Sequence, residues 1–189
     1  TRRQQILEGR QIDTTVRDML AETIRDAVAD YLAPDFVRRT IAEWARQATG
    51  IQVTADQVRG DTPDAAEDIE QGIRDLARDE AVNTIGVTTG EYIDPEASAK
   101  EWDLRGLSAW AQTRFGVNIS QNQLRKMTPE EIVEELTNQA VERIDRLELS
   151  GFRRYLEADF GRKSLLEWVR NRFGVEMTLE DLAGCEEIG

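Results

Sequence analysis

A chain of 189 residues with 40% hydrophobic content can bury one core or two small ones, and its 24 basic against 37 acidic residues leave a formal net charge of -13. That balance argues against nucleic acid as a partner, because phosphate neutralisation supplies much of such binding. With no histidine and a single cysteine, Cys185, the sequence leaves no route to disulfide frameworks, His- or Cys-based metal sites or His-dependent triads.

Residues 2–32 read as helix, because Ile12, Val16, Met19, Leu20, Ile24 and Val28 recur every three or four positions. Gly9 and the cluster Asp13-Thr14-Thr15 suggest a break before the main helix resumes, and Pro34 enforces a turn after Tyr31-Leu32. The chain opens without Met in helical sequence, as a piece of a longer protein does. No signal-peptide pattern begins at Thr1, and the apolar runs are too short for direct membrane insertion. One lone thiol fits a reducing, cytosolic setting.

Next comes a unit that the chain contains three times: IAEWARQATGIQVTADQVRG at 41–60, LSAWAQTRFGVNISQNQLRK at 107–126 and LLEWVRNRFGVEMTLEDLAG at 165–184. Aligned without gaps on Trp44, Trp110 and Trp168, the copies place Gly50, Gly116 and Gly174 six residues later, and Thr54, Ser120 and Thr178 ten later. Ile41, Trp44, Ala45 and Ala48 fall at i, i+3, i+4 and i+7, one stripe of a helix, as do their counterparts from Leu107 and Leu165. Each glycine is placed to be the left-handed residue that stops this helix, with Phe115 and Phe173 just before it in the second and third copies. The following residues, such as Val117-Asn118-Ile119, can tuck two apolar side chains under the helix. Thr54, Ser120 and Thr178 then cap a second short helix, with Gln57, Gln123 and Asp181 in capping-box position. An indole at helical spacing among Ile, Leu and Ala belongs to a core, so all three tryptophans are expected there.

Thr62-Pro63 and Thr128-Pro129 each start a further helix eighteen residues after the preceding tryptophan, as N-cap and first helical residue. The second of these helices runs toward Leu156, with Ile132, Leu136, Ala140, Ile144 and Leu147 on its apolar stripe, and Gly151 suggests a break before the third copy. Between the copies, Asn83-Thr84-Ile85-Gly86-Val87-Thr88-Thr89-Gly90 shows no helical periodicity, which makes it the best internal boundary and divides the chain into 1–84 and 85–189. With no strand pattern, the expected class is all-α, built of repeated helix–corner–helix units joined by long helices.

A search for chemistry returns little. Gly161-Arg162-Lys163-Ser164 lacks the Gly-Lys pair and preceding strand of a phosphate-binding loop, EF-hand spacing is absent, and no pair of carboxylates is singled out. Asn118-Ile119-Ser120 matches a glycosylation sequon that has no consequence in a cytosolic protein. No catalytic, cofactor-binding or metal-ligating residue is assigned.

The strings Tyr92-Ile93-Asp94-Pro95 and Glu101-Trp102-Asp103-Leu104-Arg105-Gly106-Leu107, with Phe115 closing the next helix, resemble the wing-and-scaffold region of SecA, the motor of bacterial preprotein translocase. The opening stretch similarly resembles the end of the SecA scaffold helix running into the first wing helix. An ordinary wing holds one such unit, so the array resembles an expanded wing. The family's nucleotide-binding motifs, preprotein-binding domain and two-helix finger have no counterpart here. The resemblance therefore implies a non-catalytic, mechanical element of an ATPase whose ATP and Mg are held elsewhere in the parent. It implies contacts with other SecA domains in cis, with preprotein and the SecYEG channel through the parent, and a cytoplasmic place peripheral to the plasma membrane. Trp102 and Leu104, outside the repeated unit, are the expected domain or partner contacts. The alternative is a free-standing helical repeat adaptor that binds partner proteins.

Overall fold

The computed structural model describes residues 2–186, with side chains described for 12–183, and every regular element among them is helical. Eight α-helices follow one another: α1 (Arg2–Tyr31), α2 (Phe36–Thr49), α3 (Ala66–Tyr92), α4 (Leu104–Phe115), α5 (Gln121–Leu124), α6 (Pro129–Asp145), α7 (Phe160–Phe173) and α8 (Leu179–Glu186). Short 3-10 turns at Ala55–Gln57, Pro63–Ala65 and Ser150–Leu156 complete the set.

The three copies share one local design. Helices α2, α4 and α7 carry the tryptophans and end on Gly50, Gly116 and Gly174, whose φ values of 73°, 67° and 68° lie in the left-handed region. Ser120 Oγ accepts from the Gln123 N–H and Thr178 Oγ1 from that of Asp181, while the carboxamide or carboxylate at the third position accepts in return from the capping N–H. In the first copy the Thr54 N–H and hydroxyl both donate to Gln57 Oε1, at 2.9 and 3.2 Å, and its second helix shrinks to one 3-10 turn. At Gly50 a Cβ has ordinary room, 3.5 Å from the nearest atom of Arg114, so the strain of a side chain there is purely that of φ. Gly50→Ala should lower stability by about 1–2 kcal/mol in urea denaturation, and Gly50→Asn by less.

Helices α3 and α6 pack on each other through the centre of the molecule. Ile69, Ile73, Ala77, Ala81, Ile85 and Thr89 form the buried stripe of α3; Ile132, Leu136, Ala140 and Ile144 form that of α6. Thr128 caps α6 in a reciprocal box with Glu131, at 3.3 and 2.8 Å, and Pro129 occupies its first position. Residues 83–90, where the sequence suggests an interruption, lie inside α3. The stripe continues through Ile85 and Thr89, while Gly86 and Gly90 face solvent and cost only helix propensity. Helix α6 stops at Asp145, short of the expected Leu156, and Leu147 lies outside it, 37% exposed. Helix α1 is also continuous through Gly9 and residues 13–15.

The two outer copies are interlocked. Helix α1 packs on α7, and α2 packs on the turn Ser150–Leu156 that precedes α7. Where the two connections meet, Phe36 and Phe160 stack with ring centroids 5.8 Å apart, flanked by Tyr31 and Tyr155. A Cβ at Gly161 would fall 2.5 Å from the Tyr31 carbonyl oxygen, so only glycine permits that approach. Along the rest of the described part of α1 one apolar stripe is open to solvent. Ile12, Val16, Met19, Leu20, Ile24 and Val28 are all exposed, from 38% to 64%.

Candidate functional surface

None of the three repeated indoles is fully buried; each is half-buried, Trp44 and Trp110 against the core and Trp168 among the rings of α1 and α7. Trp44 meets Phe152 at 5.6 Å, Trp110 meets Tyr92 at 6.4 Å and Phe115 at 5.5 Å, and Trp168 meets Tyr31 at 6.4 Å and Phe173 at 5.4 Å. The last two copies hold the same edge-to-face pair, at 81° and 85°, between the tryptophan and the phenylalanine five residues on. In the first copy Thr49 stands in that place, and Phe152 supplies the ring from a distant part of the chain.

The string Glu101 to Leu107 has a structural reading residue by residue. Trp102 is half-buried against the core and its Nε1–H donates to the Asp94 carbonyl at 2.8 Å. Asp103 caps α4, accepting from the Gly106 N–H at 2.8 Å, while its own N–H donates to the Tyr92 carbonyl at 3.0 Å. Leu104 and Leu107, 4% and 0% exposed, point into the core. Gly106 is needed because a Cβ there would lie 2.3 Å from the Asp103 carboxylate and 2.8 Å from the Tyr92 ring. Leu104 therefore faces this chain's own interior, and Trp102 pins the loop that follows α3 to the start of α4.

Between the first two copies opens a cleft of about 470 Å³ lined by Thr49, Ile51, Ala77, Ala140, Ile144 and the arginines 114, 143 and 146. Arg114 donates to the Gly50 carbonyl at 3.3 Å and lies over the Phe115 ring, Arg146 pairs with Glu142, and Arg143 lies against Gly116. Arginines are the only ionisable groups in this lining, and the one hydroxyl, Thr49 Oγ1, donates to the Ala45 carbonyl at 2.7 Å. The cleft thus holds no base that titrates near neutrality. Elsewhere the shifted carboxylates are capping or ion-paired groups. Glu43 is held down to about 2 by its hydrogen bonds from Arg46 and Gln47, and Asp181 is held below the usual range by the Thr178 N–H it accepts from. Among the described residues no group of His, Cys, Asp and Glu could hold a metal ion, and no helix is long and apolar enough to cross a membrane.

No protein-family model matches the chain, and no solved structure matches it. Among curated proteins it is similar to the protein translocase subunit SecA 1 of Rhodopirellula baltica, with 28% identity over 188 residues. That alignment takes in 98% of this chain and 15% of the relative's length. The chain is thus a distant homologue of a region of SecA.

Proposed function

We propose that the chain is a helical wing, with the end of the scaffold helix in α1, of a SecA-like ATP-driven preprotein translocase, and that it acts as a non-catalytic mechanical body. The observation that carries this reading is the similarity to a SecA protein over 98% of the chain. Its physical make-up agrees. The α3–α6 pair runs through the middle, the aromatic corners tie the outer copies together, and the cleft between the first two copies offers guanidinium groups but no general base. In this reading ATP and Mg are bound by other domains of the parent. Those domains are the partners in cis, preprotein and SecYEG are met through them, and the body stands on the cytoplasmic side at the membrane periphery.

The test has two arms. The purified 189-residue protein should neither bind a fluorescent ATP analogue nor release phosphate from ATP and Mg. The longer motor, with residues 36–173 replaced by a short linker, should keep basal ATP hydrolysis yet fail to drive a preprotein into SecYEG vesicles. Turnover by the 189-residue protein, or transport that survives the deletion, refutes the assignment.

A further inference from the structure

We propose that the cleft between the first two copies is a binding site for an amphiphilic carboxylate, a small apolar body that carries one carboxylate group. Its walls combine two chemistries. Ile51, Ala77, Ala140, Ile144 and Leu147, with the half-buried Phe115 ring, make it apolar, and Arg114, Arg143 and Arg146 are the charged groups of its lining. Its volume of about 470 Å³ lies within the range of small-molecule sites, which are mostly apolar with a few convergent polar groups.

These arginines are not all placed by ion pairing. Arg143 makes no side-chain hydrogen bond and no ion pair among the described residues. One turn away on its own helix stand Gln139, Ala140, Arg146 and Leu147, so its charged neighbour there is another guanidinium. Arg146 pairs with Glu142, and Arg114 reaches Glu80 only at 3.9 Å, which leaves one guanidinium uncompensated in a chain of net charge -13. Arg114 and Arg143 occupy the last turns of α4 and α6, where the helix dipole favours a cation. That preference accounts for a cation at each helix end and leaves its direction open. The direction comes from the corner glycines. A Cβ on Gly116 would lie 2.9 Å from three atoms of the Arg143 guanidinium, and one on Gly50 would lie 3.5 Å from Arg114 Nη1, whereas Gly174 of the third copy has nothing within 4 Å. The first two corners thus each seat a guanidinium on a bare glycine, and both seats open on one cleft. A carboxylate there replaces the repulsion between Arg143 and Arg146 with a forked, charge-assisted contact, strengthened by the apolar walls. Inorganic phosphate would leave those walls unused, and a neutral ligand would leave Arg143 unpaired.

Two probes separate the sources of such a group: 4-phenylbutyrate stands for a free acid, and acetyl-Gly-Phe for the carboxyl end of a peptide. Each is titrated into the 189-residue protein and followed by heat and by tryptophan emission, since Trp110 lies 5.5 Å from the Phe115 ring of the cleft wall. Saturable binding of at least one is expected, and binding of one alone assigns the source. The uncharged analogues 4-phenylbutanol and acetyl-Gly-Phe amide should bind about tenfold more weakly or worse, and inorganic phosphate should not compete. Arg143→Gln should weaken binding by a similar factor while melting at or above the parent temperature, because it removes a like-charge contact and no ion pair. Arg78→Gln makes the same change of net charge outside the cleft and should leave affinity unchanged. Absence of saturable binding by both probes, equal affinity for the uncharged analogues, competition by phosphate, or an affinity unmoved by Arg143→Gln would each overturn the proposal. So would a marked fall in the melting point of that variant, which would make Arg143 a structural group.

Discussion

Phe152→Ala should lower the unfolding free energy by about 3–5 kcal/mol, the range for deleting a fully buried phenylalanine side chain. Phe152 is 0% exposed and sits between Leu149 and Leu156, which are 1% and 4% exposed, so no water replaces the lost ring. Its centroid lies 5.6 Å from that of Trp44, the aromatic contact that joins α2 to the turn before α7. Gly151, one residue earlier, is held so close that a Cβ there would reach to 3.1 Å from the same indole, which limits how far the backbone can collapse into the void. Denaturant unfolding followed by tryptophan emission should show both the lower midpoint and a red-shifted native spectrum. Phe152→Leu, which retains much of the volume, should lose less than about half as much. An alanine variant within about 1 kcal/mol of the parent would mean that the outer copies are not tied through this ring.

Arg74→Ala should be the costliest polar substitution, at about 2–4 kcal/mol. The Arg74 side chain is 12% exposed and pairs with Glu70 at 3.2 Å. Its guanidinium also donates to the carbonyls of Ile144, Asp145 and Leu147 at 2.6, 2.9 and 3.3 Å. Those oxygens lie where α6 ends; that of Ile144 also accepts from the Leu147 N–H at 3.1 Å, and the guanidinium from α3 supplies donors that a continuing helix would have given. A lysine carries the charge without the fork and should recover only part of the loss. Arg78 provides the internal comparison. It pairs with Asp145 at 2.7 Å and Asp75 at 3.0 Å, but its side chain is 32% exposed, and Arg78→Ala should stay within about 1 kcal/mol of the parent. Equal losses at the two positions would contradict the role given to Arg74.

What the sequence makes legible is local. A glycine after an apolar helical stripe, or a Thr-Pro-Glu-Glu run, names a chain stop or start whatever surrounds it, and Gly116 and Thr128 behave so. Helix α3 is different. Its buried stripe runs through Ala77, Ala81, Ile85 and Thr89 at intervals of four, and a β-branched, glycine-containing segment looks helical only once α4 and α6 are packed on it. The tryptophans show the same limit, since periodicity places them on the inner face but cannot tell the margin of a core from its centre. Leu104 is the converse case. Its burial follows from Asp103 capping α4, a bond to Gly106 that the strings quoted for the SecA resemblance contain but do not announce.

The crossed packing of α1 on α7 and α2 on residues 150–156 has a bearing on how the molecule is made. Partners such as Phe36 and Phe160, or Trp44 and Phe152, stand near opposite ends of the described chain, and their closure waits on everything between them. A ribosome that has released the first two helices has delivered wet apolar faces with no mate yet synthesised. Until the third tryptophan helix emerges, that nascent stretch exposes apolar surface of the kind that makes incomplete chains prone to aggregate.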